Sequence, residues 1–556
     1  MDRREVIKNL SALPFAGAMM NPFEGGTLMN PYESSAFQRG ANAAQAQNIF
    51  QKIGVEPIIN CRGTFTMIGG SIERPEVTEA KVASSKFFVQ VDELAFAVGQ
   101  RLADLTGAEW GMVPCGCAAG LKHVTAACVT GGNPERLVRI PDLTGFEKTE
   151  VIIPRRSHNT YNAAIRNIGV TIILVDTPEE LQSAINSRTA MICTTSSGEN
   201  ADAPFSMEQL ARMAKPRNIP ILIDVAAEDL TVPNVHLARG ATVVAYSGGK
   251  AICGPQNAGL LLGNKDILLS AWQASSPHHG PGRDNKVAKT EVMGMLAAVE
   301  AWIARDHAAK EREWMTWFDN IGKRVSAING VTYTVTEPRG LDNRSARLSI
   351  TWNPDVLNIY GTDVAEEVAT TAPRIALGGT YIDNNGMTGL SLGGSQLQPG
   401  QDKIVADRLY AILSRKNEKS RAGYDAPQAN IAGRWNVDIE FFSSKGRHAF
   451  FLEQDGNLVA GSHQGKFTTR EINGVVDGNK VILSSRESQN AMSVPFTFHG
   501  TIVDGRIEGG IFMGEYLTAK GFTATRTRRQ QNQNARPGNQ NPGPIRTPSG
   551  RPPFSS

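Results

Sequence analysis

Residues 243–263 read VVAYSGGKAICGPQNAGLLLG. A β-rich apolar run stops at Ser247-Gly248-Gly249, presents Lys250, and resumes as an apolar run that ends in Gly263. Short continuous apolar runs have the texture of strands buried on both faces. A lysine at the end of such a strand has two readings. It is a surface lysine in a tight Gly-Gly turn, or an amine held in a pocket as a nucleophile, with the glycines keeping side chains clear of whatever the amine meets.

The pattern repeats outward from this point. The runs VIIP (151–154), TIILVD (171–176), AMICTT (190–195) and IPILIDV (219–225) alternate with helical stretches at 178–186 and 206–214. Strands that alternate with helices predict a parallel α/β sheet covered on both faces. A long helix is expected over 286–304. Helices at 356–371 and 402–413, with strands at 347–352 and 389–392, predict a second, smaller α+β unit. The large domain is assigned to 49–310 and the small one to 311–420. From about Asn430 apolar and polar residues alternate between Asp-Gly turns, so 430–527 is expected to be an antiparallel β module, barrel or sandwich.

The ends differ in composition. Arg3-Arg4, a short apolar stretch and Ala16-Gly17-Ala18 follow the order of a twin-arginine export signal over 1–20. This predicts a periplasmic protein; the other reading is a cytosolic protein with an amphipathic leader. Residues 21–48 read as a linker. The Pro/Gly/Asn-rich tail 528–556 is expected to be disordered. The chain of 556 residues has a formal net charge of +3, and five arginines with no acid follow Thr527. Removing those five leaves −2 for the rest, which gives no sign of a nucleic-acid surface. No apolar run is long enough for a membrane span in the mature protein. The six cysteines lack zinc-site spacing and read as small core residues, and no metal is expected.

Three features surround Lys250. Asp224 ends the apolar run 221–223, where ligands of open α/β sheets bind. VPCGCAAGL (113–121) is a strand end followed by Gly116, Cys117 and Ala118 at a helix start, a backbone anion site or simply a tightly packed helix. Ser247 adds a hydroxyl three residues before Lys250. A lysine for a Schiff base, a carboxylate for a ring nitrogen and a phosphate cradle are the set that pyridoxal 5'-phosphate requires.

IINCRGTFTMIGGSIERPEV (58–77), LTGAEWGMVPCGCAAGL (105–121), ILIDVAAE (221–228), YSGGKAICGPQNAGLLLG (246–263) and GRDNKVAKTEVMGMLAAVEAW (282–302) resemble the pyridoxal-phosphate-dependent selenocysteine synthase (L-seryl-tRNA(Sec) selenium transferase) family. They are more similar still to members described as D-glucosaminate-6-phosphate ammonia-lyases. The resemblance covers Ile49 to Arg415. It implies the fold-type I, aspartate aminotransferase-like architecture, with active sites at the interface of a homodimer or larger homo-oligomer. It makes Lys250 and Asp224 catalytic. It places Ser247, Gly116, Cys117 and Ala118 near the phosphate and His158 beside the ring, where a loop histidine bonded to backbone is the alternative. Arg62 and Arg283 become candidate ligands for a substrate anion, and Arg374 a candidate carboxylate clamp. Two departures stand out: thiols at Cys115 and Cys117 in the phosphate loop, and Asp284 where many relatives have proline. With 1–48 read as signal and linker, no counterpart of the tRNA-binding domain of selenocysteine synthases is expected before Ile49.

The function expected is an exported pyridoxal-phosphate enzyme for a small amino acid or amino sugar acid, working by α,β-elimination. A selenium transferase-like activity, or a binding protein that keeps the fold without catalysis, are the alternatives.

Overall fold

The computed structural model describes residues 48–196, 205–417, 424–485, 494–517 and 519–527. The expected signal (1–20), nearly all of the expected linker and the tail lie outside them. A short strand β1 (Ile58–Asn60) precedes the main sheet, which is built from β2 (Trp110–Met112), β3 (Glu150–Pro154), β4 (Thr171–Val175), β5 (Thr189–Thr195), β6 (Ile221–Asp224), β7 (Val243–Ser247) and β8 (Gly259–Gly263). Their order is β2-β8-β7-β6-β5-β3-β4. Neighbouring side chains leave opposite faces of each strand. Ile223, Val244 and Leu262 enter one core, and Leu222, Val243 and Leu261 enter the other. Both faces are therefore buried, which explains the unbroken apolar runs; each fully buried aliphatic side chain contributes about 1.5–3 kcal/mol.

Helices α1 (Pro75–Ser85), α2 (Val91–Thr106), α3 (Cys117–Thr130), α4 (Met207–Ala214), α5 (Lys265–Gln273) and α6 (Lys289–Ala304) cover the sheet. The strands from β3 to β7 run parallel, but β8 pairs antiparallel with β7 and β2 antiparallel with β8. A wholly parallel sheet was expected. The connection 248–258 is shorter than the dozen or more residues a parallel crossover requires, so the chain reverses instead. That reversal carries Lys250.

The small domain holds α7 (His307–Val325) and an antiparallel sheet of order β12-β13-β10-β9, made of β9 (Thr332–Thr336), β10 (Arg347–Trp352), β12 (Gly379–Ile382) and β13 (Thr388–Gly393). Strand β11 (Arg374–Ala376) pairs parallel with β1 instead. Helices α8 (Gly361–Thr370) and α9 (Gln401–Ser414) complete the layer around Trp352, Phe318 and Leu409. The single helix expected at 356–371 is broken. Asn358 takes a left-handed φ of 53°, and a new helix starts at the Tyr360 cap, where Asp363 accepts from the Tyr360 N–H.

The C-terminal module is a closed barrel of eight strands, β14 (Gly433–Glu440) to β21 (Gly521–Arg526), in sequence order. Its core includes edge-on contacts of Phe498 with Phe450 and Phe522 at 4.9 and 5.2 Å. Strand β14 pairs with β21, so the sheet has no free edge. No helix among the described residues is long and apolar enough to cross a membrane.

Candidate active site

Asp224 ends β6 and Ser247 ends β7, at the carboxyl edge of the parallel strands. The register sets Asp224 beside Thr195 of β5 and Ala245 of β7, and Ser247 beside Gly259 of β8. Gly259 lies flush against the start of α3: a Cβ there would sit 2.6 Å from the Gly116 carbonyl carbon and 2.8 Å from the Cys117 nitrogen. Only a glycine permits this approach, which lays the β8 end, paired with Ser247, against the start of α3.

Helix α3 begins on Gly116 at φ 85° with no side-chain cap and no acid in its first turn. The N–H groups of Cys117, Ala118 and Ala119 have no acceptor among the described residues. A Cβ on Gly116 would project into open space, with nothing within 4 Å. Unsatisfied donors at the positive end of a 14-residue helix, beside open space, fit a phosphate.

The Asp224 carboxylate accepts from the Ala226 N–H at 3.1 Å and from the Cys117 thiol at 3.5 Å, both on Oδ1. Burial raises its pKa, while those two donors and the charge of Lys250 pull the other way. Burial, and then the Asp224 charge, push the Cys117 thiol well up, so it stays protonated and donates. Cys117 was expected as a small core residue and as part of the phosphate loop; its thiol is a donor to the Asp224 carboxylate as well. Among the described residues no hydrogen bond falls on Oδ2, which leaves that oxygen for a ring N–H.

Lys250 is half-buried; its carbonyl accepts from the Cys253 N–H at 3.0 Å, but its amine forms no ion pair or hydrogen bond among the described residues. The glycines before it were expected to clear space for the cofactor, but the turn itself crowds them. A Cβ on Gly248 would sit 2.8 Å from the Ala258 and Pro255 oxygens, and one on Gly249 2.6 Å from the Gln256 Cα. The Ser71 N–H donates to the Gly249 carbonyl at 3.0 Å, and the Arg74 N–H to the Cys253 carbonyl at 3.3 Å. The segment that carries Arg62 is thus stitched to the lysine turn.

His158 follows β3, and its Nδ1 lies 2.8 Å from Asn162 Oδ1, which fixes the ring. Tyr161 comes three residues later; burial raises its pKa, and the charges of Glu515 and then Asp224 add to the shift. The sequence reading passed over Tyr161, although it lies in the same RRSHNTYN stretch (155–162). The arginines separate. Arg62 lies over the Phe65 ring at 4.3 Å and lines a cleft with Ala251 and Cys253, next to the lysine turn. Arg283 lines a different, apolar cleft with Phe88 and Val89. Arg374, expected as a clamp, donates its Nε to the Ala369 carbonyl at the end of α8, 2.7 Å away, and lines neither cleft. Among the described residues no cluster of three or more His, Cys, Asp or Glu could hold a metal ion.

No family model matches the chain. The D-glucosaminate-6-phosphate ammonia lyase of Salmonella typhimurium is 28% identical over 332 residues, 58% of this chain and 86% of that one. The 5'-C-glycyluridine monooxygenase-decarboxylase of a Streptomyces species is 26% identical over 66% of this chain and 92% of that one. The L-seryl-tRNA(Sec) selenium transferase of Proteus mirabilis is 25% identical over 60% and 71%. A solved structure of D-glucosaminate-6-phosphate ammonia-lyase is similar with a TM-score of 0.60 at 26% identity, covering 67% of this chain and all of that one. By sequence the chain is a homologue of D-glucosaminate-6-phosphate ammonia lyase and L-seryl-tRNA(Sec) selenium transferase, and its architecture is the aspartate aminotransferase-like fold of type I with an added eight-stranded barrel.

Proposed function

We propose that this protein holds pyridoxal 5'-phosphate between Lys250, Asp224 and the start of α3, and removes the α-proton of a small amino acid or amino sugar acid with loss of a β-substituent. The observation that carries this is the meeting of an unpaired lysine, a carboxylate with one open oxygen and an uncapped helix start at one sheet edge. When bound, the group supplies an electron sink next to the carbon whose proton leaves. Asp224 Oδ2 would keep the ring nitrogen protonated, with Oδ1 pinned by Cys117 and Ala226. The N–H groups of Cys117 and Ala118 and the Ser247 hydroxyl would hold the phosphate. His158, oriented by Asn162, would flank the ring. The Lys250 amine would hold the cofactor and then move the α-proton.

The amino sugar acid named in the Salmonella relative supports the substrate class, and so does the ammonia-lyase description. The test is to mix the purified protein with D- and L-amino acids and amino sugar acids, and to follow absorbance with release of ammonia and keto acid. Elimination from one class is expected. A protein that carries no cofactor, or one that turns over no amine, would overturn the reading; transfer without release of ammonia would replace it with the transferase alternative.

Two expectations extend the proposal. The chain works as a homodimer or larger homo-oligomer, for which the exposed Phe87, Phe88 and Val89 beside an apolar cleft of about 440 Å³ offer support. Light scattering that returns a monomer would count against it. It is also exported by the twin-arginine route, so Arg3→Lys with Arg4→Lys should retain it in the cytoplasm; equal periplasmic yield would exclude that route.

A further inference from the structure

Neighbouring strands of the barrel run antiparallel, so its hairpin turns alternate between two rims. At one rim the turns are Gly456-Asn457, Gly478-Asn479 and Asp504-Gly505, the residues that tight turns ordinarily use. The other rim departs from this. The turn between β14 and β15 (Lys445–Asp455) is closed by the Phe441 N–H, which donates to the Ser444 carbonyl at 2.9 Å and leaves Phe442 and Ser443 at the centre. The turn between β16 (Leu458–Gln464) and β17 (Thr469–Asp477) is closed by the Gly465 N–H, which donates to the Thr468 carbonyl at 2.8 Å and leaves Lys466 and Phe467 at the centre. Phe442 is 53% exposed and Phe467 88%. Neither turn chemistry nor packing asks for a phenylalanine at these points. The two tips are neighbours: β15 pairs with β16, and a Cβ on Gly446 and one on Gly465 would each sit 3.8 Å from the His448 Nε2. Around them Arg447 pairs with Asp438 at 3.0 Å and Lys520 with Glu440 at 3.8 Å. That leaves the exposed Lys445 and Lys466 as positive charges with no ion pair among the described residues.

We propose that these two tips seat the barrel on an anionic membrane surface, with Phe442 and Phe467 entering the lipid interface and Lys445 and Lys466 meeting the headgroups. The chemistry favours a bilayer over a protein partner. A stable protein interface buries about 1,200–2,000 Å² in total and needs a surface of matching shape. Two turn tips that each project one aromatic ring offer neither. A fluid bilayer asks for no matching shape: it accepts a projecting apolar side chain, and lysines at the level of the phosphates add attraction when the lipid is anionic. Only the tips enter, so this association is peripheral and requires no spanning helix. It is independent of the cofactor chemistry, since none of these residues belongs to the candidate active site.

The test is cosedimentation of the purified full chain with vesicles of phosphatidylglycerol and phosphatidylcholine in equal parts, and with vesicles of phosphatidylcholine alone. The mixed vesicles should bind at least about tenfold more strongly, the scale of two lysines at a charged surface, and high salt should shrink the difference. Lys445→Gln with Lys466→Gln should weaken binding to the mixed vesicles at least about tenfold. Phe442→Ser with Phe467→Asn, residues that suit these turns, should weaken binding to the mixed vesicles by a similar factor. All variants keep the five arginines after Thr527. Binding that stays at the wild-type level in the phenylalanine variant therefore comes from the tail and overturns the proposal. Equal binding to the two kinds of vesicle would overturn it too. No binding to either would do the same and leave a protein partner for the tips. If the double phenylalanine variant fails to fold, Phe467→Asn alone decides, since that side chain is exposed.

Discussion

The thiol of Cys117 and the carboxylate of Asp224 are 107 residues apart in sequence and 3.5 Å apart in space. The sulfur donates to Oδ1 and stabilises the charged form of Asp224 against its burial. Cys117→Ala removes that donor, so Asp224 becomes harder to ionise. The acid limb of the kcat/KM profile should move to higher pH, by about one unit or less because S–H is a weak donor. Cys117→Ser, which keeps a donor, should restore the limb. A profile unchanged in the alanine variant would mean that the contact has no part in tuning Asp224.

Lys250 should be the single point of covalent attachment. Borohydride should fix pyridoxal phosphate on the peptide that bears Lys250 and on no other lysine peptide, as mass spectrometry would read. Lys250→Ala should lose this adduct and nearly all turnover, yet retain weak cofactor binding through α3 and Asp224. Wild-type turnover in that variant would contradict the assignment.

Asp224 is held at the expense of stability. Its folded pKa is raised by burial, so the fold prefers the protonated acid, and this residue's contribution becomes less favourable as pH rises through the folded pKa. Asp224→Asn cannot ionise and keeps an oxygen for Cys117 and Ala226. Without cofactor, the variant should melt above the wild type at pH 7, by about 2–4 °C per kcal/mol relieved. The gap should close as pH falls towards 4, the ordinary carboxylate range. Turnover should be lost at every pH.

Two glycines at the start of α3, the proposed phosphate cradle, should fail for opposite reasons. Gly259→Ala drives a methyl into the Gly116–Cys117 backbone, which cannot swing aside. The expected cost is about 1–3 kcal/mol, with α3 displaced and cofactor affinity reduced. Gly116→Ala meets no atoms, but its φ of 85° strains an alanine by about 1–2 kcal/mol and its methyl enters the cradle. Denaturant midpoints and cofactor titration separate the two. Cofactor affinity in Gly116→Ala should fall further than its loss of stability explains.

Much of this site was legible because its signals are local. A strand-end Asp224, the Ser-Gly-Gly-Lys turn and the Gly116 helix start each declare themselves within a few residues. The direction of β8 was missed, since an apolar run carries no sign of which way the strand points; the short connection, itself visible in the sequence, decides it. The arginines divided on the same ground. Arg62, Arg283 and Arg374 look alike in sequence, but Arg374 spends its Nε on a carbonyl and Arg283 lies in another cleft.

The pairing of β14 with β21 has a consequence for how the barrel joins the chain. Trp435 stands opposite Arg526, so the polypeptide enters and leaves the barrel at one point. A module with adjacent ends behaves as a plug-in: it can be cut out, transplanted into a loop of another protein, or rejoined end to end without disturbing its strands. A circular permutant opened at the Asp504–Gly505 turn, with Gly433 and Arg526 bridged by a short linker, should fold to the same eight-stranded barrel.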